Sequence, residues 1–297
     1  MIDISQAEMI RGEAIGNYWT ALSYSKLTKA ISSNQSVLLV DPIQNKTCVY
    51  SCQWLTDHLK PTEHPSINLP FDVNYEVQLD PYTAELSKRL HPSWYNRLKA
   101  YLYTSEFKQI IYQSKKAREH QAVYPAHYQI LNAFLTDFDQ LKGCWLGLSP
   151  YNQPNLANGF AFATYEKRKP ASLAVLENGI RSSYKLDFRW SLPNDLSNLI
   201  HQGLLLLNCA LTTTDDPRSH LTLWRPFIEV VIDELNSKSD FVWVLWGKEA
   251  QGFKQLIAPR HTILEEYHPA YYARNNQSIT SNVFKEFSQL TSIMYAD

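Results

Sequence analysis

The chain has 297 residues, enough for one large domain or for a domain with an appendage. Its 28 basic and 29 acidic residues leave a formal net charge of −1, which excludes a histone-like or tail-driven nucleic-acid binder. Charged residues make up 19% and aromatic residues 13%, with 18 Tyr and 8 Trp, a composition that favours a packed core over disorder.

No apolar stretch reaches the roughly 20 residues needed to span a bilayer. The opening MIDISQAEMIRGEAIG lacks the basic-then-apolar order of a signal peptide. Cys48, Cys52, Cys144 and Cys209 form no metal-binding pattern, since only Cys48 and Cys52 are close together. The expectation is a cytoplasmic protein with reduced thiols, no membrane association and no cofactor.

In chain order, the first segment reads as one helix over about 5–33, followed by the apolar run Val37-Leu38-Leu39-Val40. A stretch punctuated by Pro61, Pro65, Pro70 and Pro81 comes next. Residues 1–89 hold 7 basic and 10 acidic residues, net −3, and carry no legible chemistry. They read as an appendage for packing or for binding a protein partner. Residues 90–297 hold 21 basic and 19 acidic residues, net +2, and seven of the nine glycines. The domain boundary is therefore expected at 89/90.

From Pro92 to about Gln121, the spacing of Trp94, Leu98, Leu102, Phe107 and Ile111 predicts a helix. Four short apolar runs follow: Cys144–Leu148, Leu204–Leu207, Phe241–Trp246 and Thr262–Leu264. Helical segments over about 172–183, 195–202 and 224–236 separate them. Strand and helix alternating at this spacing predict an α/β fold with a central four-stranded parallel sheet flanked by helices. Ligands of open parallel sheets sit at the carboxyl ends of the strands. The loops there read Ser149-Pro150-Tyr151-Asn152, Asn208-Cys209-Ala210-Leu211-Thr212, Gly247-Lys248-Glu249 and His268-Pro269-Ala270-Tyr271-Tyr272.

These loops, in this order, resemble the first family of the uracil-DNA glycosylase superfamily, over about residues 92–290. The matching segments are AVYPAHYQILNAF (122–134), WLGLSPYNQPNLANGFAFAT (145–164), KPASL (169–173), QGLLLLNCALT (202–212), WGKEAQ (246–251) and HPAYYA (268–273). The resemblance implies a monomeric, monofunctional DNA glycosylase that extrudes a base from DNA and reads it in a pocket.

It also implies roles. His268 donates to the base O2 as charge develops there. Asn208 reads the base edge, and its amide suits uracil in one orientation and cytosine when flipped. Phe162 stacks on the base, and Tyr151 crowds the pyrimidine 5-position. The backbone N–H of Leu148 faces the base O2. Tyr271 or Tyr272 stands where the family places a Leu wedge. Lys167, Arg168, Lys169 and Ser172 form the loop that pinches DNA phosphates, with Gly247 and Lys248 in a further DNA-facing loop.

One loop departs from the family. Where the family reads Gly-Gln-Asp-Pro-Tyr-His, this chain reads Gly147-Leu148-Ser149-Pro150-Tyr151-Asn152. Ser149 replaces the carboxylate that positions water and stabilises the sugar cation. Asn152 replaces a His, and either residue can orient water. Three functions follow: a glycosylase for a non-standard pyrimidine, such as glucosylated 5-hydroxymethylcytosine in phage DNA; an ordinary uracil-DNA glycosylase; or a catalytically idle DNA- or partner-binding protein.

Overall fold

The computed structural model describes residues 7–15, 18–41, 46–59, 66–70, 85–86 and 88–295. The chain divides into two compact units, Met1–Thr104 and Ser105–Asp297.

The first unit is not one long helix followed by a single strand. The segment expected to be helical over 5–33 holds three strands, β1 (Glu8–Arg11), β2 (Glu13–Ile15) and β3 (Tyr18–Ser23), before helix α1 (Tyr24–Ser32). Ile10, Ile15, Tyr18, Trp19 and Thr20 are β-branched or aromatic and fit a pleated surface better than a helix. β1 pairs in parallel with β4 (Val37–Asp41), which pairs antiparallel with β5 (Lys46–Tyr50), and helix α2 (Cys52–His58) follows. β2, β3 and β6 (Ser66–Pro70) form a second, antiparallel sheet. Ile10, Trp19, Leu39 and Tyr50 lie in its shared apolar core. Of the four punctuating prolines, Pro70 closes β6, while Pro61, Pro65 and Pro81 lie outside the described residues.

The helix expected over 92–121 is two helices, α3 (Pro92–Leu102) and α4 (Ser105–Ala117), which meet at Tyr103-Thr104. α3 belongs to the first unit. Asn96 accepts from the Met9 N–H at 2.7 Å and donates to its carbonyl at 3.0 Å. The Lys99 ammonium donates to the Ala7 carbonyl. These bonds carry the unit boundary to 104/105 rather than 89/90.

The second unit is built on four parallel strands: β7 (Gly143–Gly147), β8 (Leu204–Asn208), β9 (Val242–Trp246) and β10 (Thr262–Glu266). Their order is β10-β9-β7-β8. β7, β8 and β9 are buried along their whole length, as continuous apolar strands of a covered parallel sheet should be. Helices α5 (Ala171–Tyr184), α6 (Ser197–Ile200) and α7 (Leu221–Leu235) fall close to the expected segments, and α10 (Val283–Thr291) lies outside them. Trp145 on β7 centres one face of the core, with its ring 5.6–6.4 Å from those of Phe162, Trp246, Phe284, Phe287 and Tyr295. Among the described residues no helix is long and apolar enough to cross a membrane.

Register aligns the strand ends. Gly147 pairs with Asn208, and Glu266 with Trp246. After β8 the chain crosses back over β7 to place β9 on its other side, so the connections diverge at β7. In open parallel sheets such a divergence marks the carboxyl edge where ligands bind.

Candidate active site

Three groups converge at the end of β7. Asn208, the last residue of β8, is 4% exposed, and no described residue hydrogen-bonds its amide. A buried amide without protein partners is unusual and marks a place where a ligand can supply them. Phe162, 7% exposed, packs edge-on to Trp145 and Trp246 and lies 5.6 Å from the His268 ring at 41°. A side chain at Gly147 would place its Cβ 2.8 Å from Asn208 Oδ1 and 3.0 Å from the Phe162 ring. Glycine at 147 is thus what allows the amide and the ring to meet over the strand end.

Phe162 has φ +65°, a left-handed conformation that a bulky residue adopts only when its surroundings hold it there. Two bonds flank the bend. The Ala161 N–H donates to the Leu206 carbonyl at 3.1 Å, and the Tyr151 hydroxyl donates to the Phe162 carbonyl at 2.8 Å. Burial pushes the Tyr151 hydroxyl well up, so it remains a donor.

His268 caps the short helix α9 (Pro269–Arg274). Its Nδ1 accepts the Ala270 N–H at 3.2 Å. Burial, with Arg274 and Arg218 nearby, lowers its pKa to about 4. At neutral pH the ring is uncharged, and with Nδ1 accepting, Nε2 carries the proton. The result is a neutral donor held beside Phe162. Gly247, at φ +88°, completes the cradle, because a Cβ there would come within 2.9 Å of His268 Cβ.

The loop after β7 is arranged differently. Ser149 is half-buried, and no described residue hydrogen-bonds its hydroxyl. Asn152 donates through Nδ2 to the Asp215 carbonyl at 2.6 Å, tying this loop to the one after β8. The Leu148 carbonyl accepts the Ala210 N–H at 3.1 Å, a second tie between the same loops. Asp215 is exposed beside this tie; its contact with Asn152, 63 residues away in sequence, left no signal in the sequence.

Among the expected phosphate-contacting residues, Lys167 and Arg168 are exposed, and Ser172 lies in the first turn of α5. Arg168 and Ser172 border a cleft of about 650 Å³, lined also by Tyr151, Gln153, Asn155 and Lys169. The Lys169 ammonium, however, is committed to protein partners: it is paired with Glu177 and bonds the Ser191 hydroxyl and the Leu192 carbonyl. Burial alone would raise the Glu177 pKa, but bonds from Lys169, the Leu192 N–H and Ser191 hold it below the usual range. Lys169 therefore braces the loop from within.

Lys248 is exposed at the start of a four-residue helix, α8 (Lys248–Gln251). Tyr271 is 39% exposed, whereas the Tyr272 hydroxyl is bonded to the buried Glu266 carboxylate at 2.6 Å. A residue the sequence did not single out joins them. Tyr267 is 58% exposed and stacks on Tyr271 with centroids 4.8 Å apart.

Comparison with known proteins places this arrangement. The model of the Uracil DNA glycosylase superfamily matches residues 135–290. A uracil-DNA glycosylase of Borrelia hermsii is 35% identical over 211 residues, 67% of this chain and 92% of that protein. One from Acinetobacter baumannii is 35% identical over 201 residues, 64% of this chain and 83% of its own. Among solved structures, mimivirus uracil-DNA glycosylase matches with a TM-score of 0.56 at 25% identity, over 62% of this chain and 71% of that one.

Proposed function

The chain belongs to the uracil DNA glycosylase superfamily, and from that premise we propose that it hydrolyses the N-glycosidic bond of a non-standard pyrimidine in DNA. The observation that carries this reading is the neutral, tautomer-fixed His268 beside Phe162. Breaking the C1′–N1 bond leaves the bonding pair on the base and positive charge on the sugar. A water oxygen then bonds C1′, and the proton it loses goes to the base anion, leaving an abasic sugar and a neutral free base. A neutral Nε2–H donor stabilises the oxyanion that develops at the base O2 without having to lose a proton. The Leu148 N–H is a second candidate donor there. Phe162 gives the extruded base a stacking face, and Asn208 offers one donor and one acceptor to its edge.

The unpartnered amide of Asn208 reads uracil or, flipped, cytosine. Replacement of the family's carboxylate by Ser149 supports a substrate other than plain uracil, because the loop no longer supplies negative charge to the sugar cation. A 5-modified cytosine such as glucosylated 5-hydroxymethylcytosine, the base of some phage genomes, fits this combination and would make the protein an antiphage enzyme. A second reading, excision of uracil in repair, is favoured by Tyr151, which is fixed where it would crowd a 5-substituent.

Incubation with phage DNA carrying the glucosylated base, beside a single-stranded uracil oligonucleotide, separates the two. Abasic sites in the phage DNA support the first reading, and abasic sites only in the uracil strand support the second. Tight binding with both substrates intact at enzyme excess overturns both in favour of an idle DNA-binding protein.

A further inference from the structure

The region around His268 carries three tyrosines, and they are not equivalent. Tyr272 is the foundation. Its hydroxyl bonds Glu266, whose carboxylate also accepts the Tyr267 N–H at 2.7 Å and the Ser281 hydroxyl. Tyr267 and Tyr271 stand against it, with interplanar angles of 80° and 81° to the Tyr272 ring. They lie face to face with each other at 23°. Although stacked, both remain exposed, Tyr267 at 58% and Tyr271 at 39%. They flank His268 in sequence. Arg274, on the same short helix, and Arg218 are close enough to act electrostatically on that histidine. Exposed parallel rings beside cationic side chains at the rim of a base pocket match the chemistry of a nucleobase stack.

We infer that Tyr267 and Tyr271 form a two-ring bracket for duplex DNA. In the wedge role that the resemblance gives this loop, Tyr271 enters the gap left by the extruded nucleotide; the new element is Tyr267, which supports its inner face and stacks toward the neighbouring base. Tyr272, held by its hydroxyl, is not the inserted ring. A single exposed tyrosine would have to be ordered on binding, whereas a stacked pair is already ordered and loses less freedom. The inference rests on the glycosylase reading but requires no base excision.

The test uses the full chain and a duplex containing a tetrahydrofuran abasic analogue, with 2-aminopurine at the adjacent position. The wild type should bind this duplex in preference to an intact one and change the 2-aminopurine fluorescence. Tyr267→Ser should lower that preference about tenfold, the scale of one base–aromatic stack. It should also shrink the fluorescence change while leaving thermal melting unaltered. Tyr267→Trp should restore both, and Tyr271→Ser should abolish the fluorescence change. A Tyr267→Ser protein that keeps the preference and the full signal overturns the bracket alone. A wild type that binds no tetrahydrofuran duplex overturns the bracket together with the glycosylase reading.

Discussion

On the side that the proposed reading gives to the base, Phe162 is held through the Tyr151 hydroxyl and His268 through the Ala270 N–H, and the buried Asn208 amide ends a strand paired with Gly147. On the water-facing side, Ser149 has no hydrogen-bond partner among the described residues, and the Asn152 amide is held by the Asp215 carbonyl. The base side is organised in advance: a strained Phe162, a His268 with one available tautomer, and two glycines that a methyl group would jam. The water side has lost its carboxylate and uses its remaining amide to tie two loops together. In the proposed reading, stabilisation of the leaving base and stabilisation of the sugar cation are therefore separable, and the described geometry supports only the first.

The strongest way to break this comparison is at His268. His268→Gln should lower single-turnover base release by about 100- to 1,000-fold, as loss of one preorganised donor does, with little change in DNA affinity. Retained activity would remove His268 from the chemistry.

The same residue makes a stability prediction. Its pKa is about 4 in the fold against 6.5 for an ordinary His, so the unfolded chain binds more protons between those values. The stability this provides is complete above pH 6.5 and is lost as the pH falls through about 4. At full size it amounts to about 3 kcal/mol. His220 and His261 are lowered in the same direction by burial, so their contributions overlap the same window. Urea melts of wild type and His268→Gln at pH 7 and pH 4.5 isolate the His268 share: the mutant should lose less stability on acidification.

The cationic loop offers a smaller contrast. Lys169→Met removes one of the two cationic partners of the partly buried Glu177, leaving Arg181, and should reduce stability by about 2 kcal/mol. Lys167→Met should change stability by no more than about 0.5 kcal/mol and should instead weaken DNA binding and flatten its salt dependence. Reversed effects would mean that Lys169, not Lys167, faces the phosphates.

The smallest expected effect sharpens the water side. Ser149→Asp restores negative charge near the sugar and should speed uracil release from single-stranded DNA by roughly tenfold or more. An unchanged rate would place the missing charge elsewhere, and exposed Asp215 is the next residue to replace.

The four core strands and their loops were legible because buried parallel strands are continuous apolar runs and their ends are abruptly polar: Leu204–Leu207 then Asn208, and Val242–Trp246 then Gly247. The N-terminal strands are not legible, because Ile10 and Ala14 sit at helical spacing while lying in β1 and β2. The break at Tyr103-Thr104 carries no Gly or Pro, so one apolar stripe ran through two helices. Within the site, residue types were legible but partners were not. Lys169 reads as part of a basic run until Glu177, eight residues on, folds back to it. The tie from Asn152 to Asp215 spans loops from two strands. Tyr267 precedes the matched motif, and only its exposure and its stack on Tyr271 bring it forward.

The central claim, that a base-reading pocket survives beside a rewritten water loop, is tested most directly by mass spectrometry of bases released from a panel of cellular and phage DNAs. The wild type should release one class of non-standard pyrimidine, and Asn208→Asp should lose that release while retaining the fold. Release of the same base at the same rate by Asn208→Asp, or release of no base from any DNA at enzyme excess, would contradict the account.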